Sequence, residues 1–229
     1  MIKNILIFAG GKGTRLGEIT KKTPKPMIIF NNRPFLDFIL SQLANINAEN
    51  IFLLTCYKSA LFFKKYHNRK IKNSKIKCIK EKNFYGTSGS LYHSKKLIKN
   101  NTLVCNGDTY FKYNFKNLNK INLKQKLIYL ICVNNKNYKS NTKLTNLNLK
   151  NNIIYYDKKS KLMNSGFYVI NKKIIKFLKK KGSLENDILP ELIFKNKIIG
   201  KRSKSTHVDI GTPKNLILFK KKAKKIEII

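Results

Sequence analysis

Nine of the eleven glycines in this 229-residue chain stand in five short segments: Gly10, Gly11, Gly13 and Gly17; Gly86 and Gly89; Gly107; Gly166; and Gly211. A residue without a β-carbon lets the backbone turn tightly and approach a ligand, so glycines placed this way mark phosphate loops and turns rather than flexible linkers. The first set directly follows Asn4 to Ala9, a short apolar run that reads as a buried parallel strand. Ile51 to Cys56, Lys75 to Ile79 and Thr102 to Cys105 read as further strands. Between them lie helical patterns from Pro34 to Ile46, Ala60 to Tyr66 and Ser88 to Ile98. Strand, loop and helix in rotation predict an α/β fold with a Rossmann-like doubly wound sheet, mixed but mostly parallel, in one domain over 1–229. Such sheets take their ligands at the carboxyl ends of the strands.

Pro24 and Pro26 argue against a regular helix and predict an extended path into a short strand over Met27 to Phe30. From Leu127 to Val133 and through Thr142 to Tyr156 the pattern becomes strands separated by Asn and Lys, a small β-rich excursion. Phe167 to Ile170 reads as a strand and Lys172 to Lys180 as a helix. Ser183 reads as the cap of a helix through Phe194, and Thr212 with Pro213 as the cap and first residue of a last helix to about Lys225.

A formal net charge of +38 would ordinarily point to nucleic acid. Here the 45 lysines are spread evenly and only four arginines accompany them, whereas phosphate forks and base readout favour arginine. The Lys, Asn and Ile bias looks like AT-rich coding, and most of the lysine reads as a solvated surface that also attracts small anions. Cys56, Cys78, Cys105 and Cys132 have no Cys-x-x-Cys spacing and read as reduced thiols of a cytoplasmic protein. The start is wrong for a signal peptide and no run is long enough to span a membrane. Neither nucleic acid nor membrane is an expected partner, and a homo-oligomer is left open. His67, His93 and His207 share no metal spacing.

The first glycine segment, Gly10-Gly11-Lys12-Gly13-Thr14-Arg15-Leu16-Gly17, is neither a dinucleotide fingerprint nor a P-loop. It offers a run of backbone N–H groups for phosphate oxygens, with Arg15 as a planar charged fork. Pro24-Lys25-Pro26 then holds a lysine between two rigid residues, which reduces the freedom Lys25 must surrender on gripping an anion.

Strand, Gly-Gly-x-Gly-Thr-Arg-Leu and then Pro-Lys-Pro resembles the sugar-phosphate nucleotidyltransferases, the nucleoside-diphosphate-sugar pyrophosphorylases. The resemblance runs along nearly the whole chain. Glu81 followed by Gly86-Thr87-Ser88-Gly89 matches the family's second glycine loop, and Asn106-Gly107-Asp108 its metal-binding aspartate segment. Asn164-Ser165-Gly166-Phe167-Tyr168 matches its sugar-contacting segment, and Val208-Asp209-Ile210-Gly211-Thr212-Pro213 the segment that brings the second metal carboxylate. The resemblance implies Mg²⁺-dependent transfer of a nucleoside monophosphate from a nucleoside triphosphate to a sugar 1-phosphate, with pyrophosphate leaving. The short length and the Pro-Lys-Pro-Met segment look most like the heptose 1-phosphate guanylyltransferase branch, serving surface polysaccharide synthesis. Uridylyl, thymidylyl or cytidylyl transfer is the alternative, and a nucleic-acid binder or a non-catalytic sugar-nucleotide sensor are the readings from other classes.

By the same resemblance Arg15, Lys25 and Asp108 are the catalytic residues, and Ala9, Gly10, Gly11, Gly13, Thr14, Arg15, Glu81, Gly86 and Thr87 bind the nucleotide. Asp108 and Asp209 hold the metal; as plain structure they would make a turn and cap a helix. Lys158, Asn164, Gly166 and Glu185 meet the sugar phosphate. The stretch Lys158-Lys159-Ser160-Lys161 offers three lysines for the phosphate, of which Lys158 is preferred. Glu185 could hold sugar hydroxyls or stabilise the first turn of its helix. Tyr85 stands where the family usually has Leu, and Ser90 where it often has Ala.

Overall fold

The computed structural model describes residues 1–134 and 145–228. The part of the predicted β-rich excursion at 135–144 lies outside the described residues. The chain divides into two compact units: unit one is Met1–Asn4, Tyr85–Val104 and Asn117–Ser205, and unit two is Ile5–Phe84, Cys105–Lys116 and Thr206–Ile229. Both are α/β, each on a mixed sheet, as the alternation of strand, loop and helix predicts.

In unit two the strands lie in the order Asn4–Phe8, Asn50–Thr55, Ser74–Lys80, Lys70–Ile71. Asn50–Thr55 and Ser74–Lys80 are parallel, with Ile51 opposite Ile76 and Leu53 opposite Cys78. Asn50–Thr55 is buried on both faces, which is why its run is apolar without strict alternation, whereas Ser74–Lys80 alternates the buried Ser74, Ile76 and Cys78 with more exposed neighbours. Helix Phe35–Leu43 buries Phe35, Leu36, Phe38, Ile39, Leu40 and Leu43. Helix Pro213–Ala223, capped by Thr212 with Pro213 in its first turn, inserts Phe219 into an aromatic nest. The Phe219 ring lies edge-on to Phe30, Phe35 and Phe38, with centroids 4.9, 4.6 and 5.2 Å away. Each such pair contributes about 0.5–1.5 kcal/mol beyond burial.

Two short hairpins complete the unit. One joins Ile29–Phe30 to Arg33–Pro34 through Asn31 and Asn32, both at positive φ (47° and 59°), the backbone that a two-residue primed turn requires. The other pairs Thr109–Phe111 with His207–Asp209.

Unit one orders its strands Leu147–Lys150, Ile153–Tyr156, Ile198–Ser203, Ile128–Asn134, Leu162–Ile170, then the start of Thr102–Asn106. Ile198–Ser203 is parallel to Ile128–Asn134, and Leu162–Ile170 is antiparallel to it with a register shift between Asn164 and Tyr168.

Several expected elements differ in kind. Met27 belongs to a 3-10 turn, Lys25–Met27, because Pro26 is tolerated in a first turn; extended backbone begins only at Ile29. Ser88 to Ile98 splits into helix Gly86–His93 and a 3-10 turn Lys95–Leu97. Lys172 to Lys180 is a 3-10 helix, Lys172–Phe177, capped by the Asn171 side chain. Ser183 does cap, accepting from the Asn186 N–H, but its helix opens as a π-helical turn, Leu184–Ile188, before α-helix Leu189–Phe194. All four cysteines are free, and burial pushes the Cys78 thiol up to about 11 and that of Cys132 to about 12, so these two are inert packing. Among the described residues no helix is long and apolar enough to cross a membrane.

Candidate active site

In unit two the first strand ends at Phe8 and the loop begins on shared backbone bonds. The Ala9 N–H donates to Leu54 O at 2.9 Å, Tyr57 N–H to Gly10 O at 3.2 Å, and Glu81 N–H to Thr55 O at 2.7 Å. A β-carbon on Gly10 would stand 3.1 Å from the Cys56 nitrogen and 3.1 Å from Glu81 Oε2. Glu81 therefore lies against the first glycine loop, at the carboxyl ends of the parallel strands. Burial raises the Cys56 thiol pKa there, the Glu81 carboxylate raises it further and Lys12 opposes them. Lys12 Nζ also stands 4.8 Å over the Phe84 ring.

Gly13 takes φ 71°, a left-handed conformation, and starts the 3-10 turn Thr14–Leu16 that presents Thr14 and Arg15 to solvent. The buried Thr20 hydroxyl donates to Gly13 O at 3.0 Å and fixes the loop from beneath. A β-carbon on Gly13 would come within 2.8 Å of Lys25 Cγ. The missing side chain is thus the channel in which the Lys25 stem lies. Lys25 is buried, and its ammonium donates to Asp108 Oδ2 at 3.0 Å with the lysine side chain 10% exposed.

Asp108 and Asp209 are brought together by backbone pairing rather than by sequence proximity. Thr109 stands opposite Asp209 in the short hairpin, and the Ile210 N–H donates to Asp108 O at 2.9 Å. Asp209 Oδ1 accepts from the Gly211 N–H at 2.5 Å, and its carbonyl accepts from Asn215 Nδ2 at 2.7 Å. A β-carbon on Gly211 would lie 2.7 Å from Asp209 Oδ1 and 2.8 Å from Arg15 Nη2. Arg15 and Asp209 therefore converge over one glycine, and four distant segments deliver Arg15, Lys25, Asp108 and Asp209 to one region of unit two. Among the described residues no cluster of three or more His, Cys, Asp or Glu could hold a metal ion. The two carboxylates are the hard oxygen donors on offer, which suits a cation that keeps waters and phosphate oxygens as its other ligands.

Unit one gathers the remaining predicted residues, except Lys158, around Glu185. Thr87 Oγ1 donates to Glu185 Oε2 at 2.5 Å and accepts from the Leu184 N–H at 2.7 Å. Ser183 Oγ donates to the same oxygen at 3.0 Å, and Tyr168 OH donates to Oε1 at 3.2 Å. Asn164 Nδ2 donates to Tyr168 OH, while Asn164 Oδ1 accepts from the Gly166 N–H at 2.8 Å. Glu185 thus clamps the Gly86-Thr87 loop to the Asn164–Tyr168 bulge, a role that neither alternative read from the sequence described. Tyr85 packs against His93 with the rings tilted by 33° and their centroids 4.0 Å apart. Lys158 sits exposed in the turn between Asp157 and Ser160, whose ends are tied by Ser160 N–H to Asp157 O at 2.9 Å. No contact joins Lys158 to Asn164 or Glu185 among the described residues.

Thr20, Ser183 and Tyr168 support these groups and were not singled out as site residues. The signal for Thr20 would have been a β-branched hydroxyl one helical turn after Gly17, too common to be informative.

Comparison with known proteins gives the family. A family model described as "Nucleotidyl transferase" matches residues 4–225. The D-glycero-alpha-D-manno-heptose 1-phosphate guanylyltransferase of Campylobacter jejuni is 32% identical over 220 residues, 93% of this chain and 97% of that protein. The bifunctional protein GlmU of Methanococcus aeolicus is 31% identical over 223 residues but only 52% of its own length, so the chain spans about half of that relative. The crystal structure of HddC from Yersinia pseudotuberculosis superposes with a TM-score of 0.79 at 26% identity, covering 97% of this chain and all of that one, and HddC has also been solved with GMP-PN. With a matching family model along almost its full length, the chain belongs to the nucleotidyl transferase family and is a nucleotidyltransferase.

Proposed function

We propose that the protein transfers a nucleoside monophosphate from a nucleoside triphosphate to a sugar 1-phosphate, with GTP and a heptose 1-phosphate as the pair, for surface polysaccharide synthesis. The observation that carries the reading is the convergence of Arg15, Lys25, Asp108 and Asp209 from four segments. A phosphate oxygen of the sugar attacks the α-phosphorus in line and pyrophosphate leaves, so no side chain need act as nucleophile. The work of the protein is then placement and charge compensation. Arg15 is suited to grip phosphate oxygens in a bidentate fork, and the Lys25 ammonium, seated along Gly13, to sit at the α-phosphate. Asp108 and Asp209 would hold a divalent cation such as Mg²⁺, which supplies charge to the triphosphate oxygens when bound. The Lys25 ammonium, a cation drawn to Asp108 at 3.0 Å, supports that reading for Asp108. The Thr87–Glu185–Tyr168–Asn164 clamp would hold the loop and bulge that meet the nucleoside and sugar. Lys158 remains the lysine assigned to the sugar phosphate. The family match runs through both units, which supports treating 1–229 as one working domain.

The guanylyl and heptose choices rest on the Campylobacter and Yersinia relatives; the GlmU relatives keep other pairs in play. Four nucleoside triphosphates against a panel of sugar 1-phosphates, scored by pyrophosphate, decide the matter. GTP with a heptose 1-phosphate should give the largest kcat/KM, and only with a divalent cation present. Pyrophosphate release with no pair would sink the enzymatic reading, and a better pair with another base would replace the substrate assignment.

Gly211 supplies a sharper probe of the site. The atoms that an alanine there would displace are the mobile ends of Arg15 and Asp209, not backbone. Gly211→Ala is therefore expected to keep its melting temperature within about 4 °C, on the order of 1 kcal/mol. Its kcat/KM should fall on the order of 10–100-fold, as misplacement by about 1 Å does.

A further inference from the structure

We propose that a second pocket, lined by none of the candidate active-site residues, binds a small phosphate ester that carries hydroxyl groups. It lies within unit two, has a volume of about 380 Å³, and is rimmed by Arg33, Arg69, Lys65 and Lys70. That size falls in the range of small-molecule sites, about 300–1,000 Å³. Its floor is apolar, made by the buried Leu40, Tyr66 and Ile76.

The cations of this rim are not a sample of the general lysine surface. Two of the four arginines in the chain meet here, although the composition favours lysine overwhelmingly. Arginine offers a planar fork that matches phosphate oxygens, which a lysine does not. Both arginines stand on fixed backbone. Arg33 is paired with Phe30 across the primed Asn31-Asn32 turn, and Arg69 donates its N–H to Tyr66 O at 3.1 Å while its carbonyl accepts from the Ile76 N–H at 2.7 Å. Among the described lining residues four cations accompany one acid, Asp37.

Asp37 supplies the second half of the chemistry. Its Oδ1 accepts from the Tyr66 hydroxyl at 2.7 Å, and burial followed by the Asp37 bond pushes the Tyr66 pKa far up, so the phenol stays a donor. A carboxylate accepts several hydrogen bonds, so Asp37 can also take a hydroxyl from a ligand whose phosphate meets the arginines. The pocket takes its walls from the end of helix Ser59–Tyr66 and the start of strand Ser74–Lys80, whereas Gly10 and Glu81 follow the strand ends.

The test is calorimetric titration of the full chain with glucose 6-phosphate and with inorganic phosphate, without divalent cation. Saturable binding of glucose 6-phosphate is expected. Arg33→Gln with Arg69→Gln should weaken both probes at least 10-fold and leave basal pyrophosphate release unchanged. Asp37→Asn should weaken glucose 6-phosphate by several-fold and inorganic phosphate by less. Arg15→Gln, and Lys172→Gln with Lys173→Gln, should change neither. Absence of saturable binding overturns the proposal, as does loss in Arg15→Gln with retention in the Arg33 and Arg69 variant. Equal weakening by the lysine pair overturns it too, since diffuse charge would then account for the binding. Thermal unfolding of each variant keeps misfolding distinct from loss of a ligand contact. Pyrophosphate release reads the catalytic proposal separately, so either can fail alone.

Discussion

Asp108→Asn is expected to lower kcat/KM for pyrophosphate release on the order of 10²–10³-fold, the usual effect of removing one electrostatic group aimed at a developing charge. In this protein the change strikes twice. The neutral amide is a far poorer cation ligand than a carboxylate, so the pair Asp108 and Asp209 would lose half of its negative charge. The Lys25 ammonium, its side chain only 10% exposed, would also lose the carboxylate 3.0 Å away that now places it. Leaving a largely buried donor without its charged partner costs about 1–3 kcal/mol, so a modest drop in unfolding free energy should accompany the loss of activity. The two effects separate by measurement. Folded Asp108→Asn protein, verified by circular dichroism, should show kcat reduced far more than KM is raised, because on the proposed reading Arg15 and the glycine loop would still hold the triphosphate. Turnover within about threefold of the parent protein, in a folded variant, would remove Asp108 from the catalytic set, since 10-fold corresponds to only about 1.4 kcal/mol of barrier.

The parts of this site that were legible in the sequence are those whose chemistry is local. Gly13 and Gly211 announce close approach by lacking side chains, and the neighbours that need the space, Lys25 in one case and Arg15 with Asp209 in the other, lie in segments independently marked by proline or by a scarce acid. Strands such as Asn50–Thr55 were legible because burial on both faces leaves continuous apolar runs. What could not be read depends on partners far along the chain. The strands Thr109–Phe111 and His207–Asp209 are three residues each, too short for any periodicity, yet their pairing joins the two aspartates. Nothing near Glu185 reveals that Thr87, 98 positions earlier, donates to it. Lys172 to Lys180 differs for a related reason: several lysines suit an α-helix and a 3-10 helix alike, and nothing local marks Phe177 as the end, after which Leu178 is extended.

Gly86→Ala is expected to destabilise the protein by more than about 3 kcal/mol, placing it among the most damaging single substitutions. Gly86 has φ 72°, where an alanine pays about 1–2 kcal/mol for left-handed backbone. The larger part comes from contact: a β-carbon would stand 2.3 Å from the Gly182 carbonyl oxygen, well inside any real separation. That oxygen cannot swing away, because it accepts from the Ser88 N–H at 3.0 Å while the Gly182 N–H donates to Tyr85 O at 2.8 Å. Relief would require parting the two segments, and with them the Thr87 bonds to Glu185 and Leu184. Gly11→Ala is the matched control, since nothing lies within 4 Å of a β-carbon there and its φ is not positive. Urea unfolding of the two variants should differ by several kcal/mol in the same direction at unchanged m-value. Equal stability of Gly86→Ala and Gly11→Ala would mean that the Tyr85–Gly182 packing is not the rigid backbone clamp described, and that the second glycine loop owes its glycines to a ligand instead.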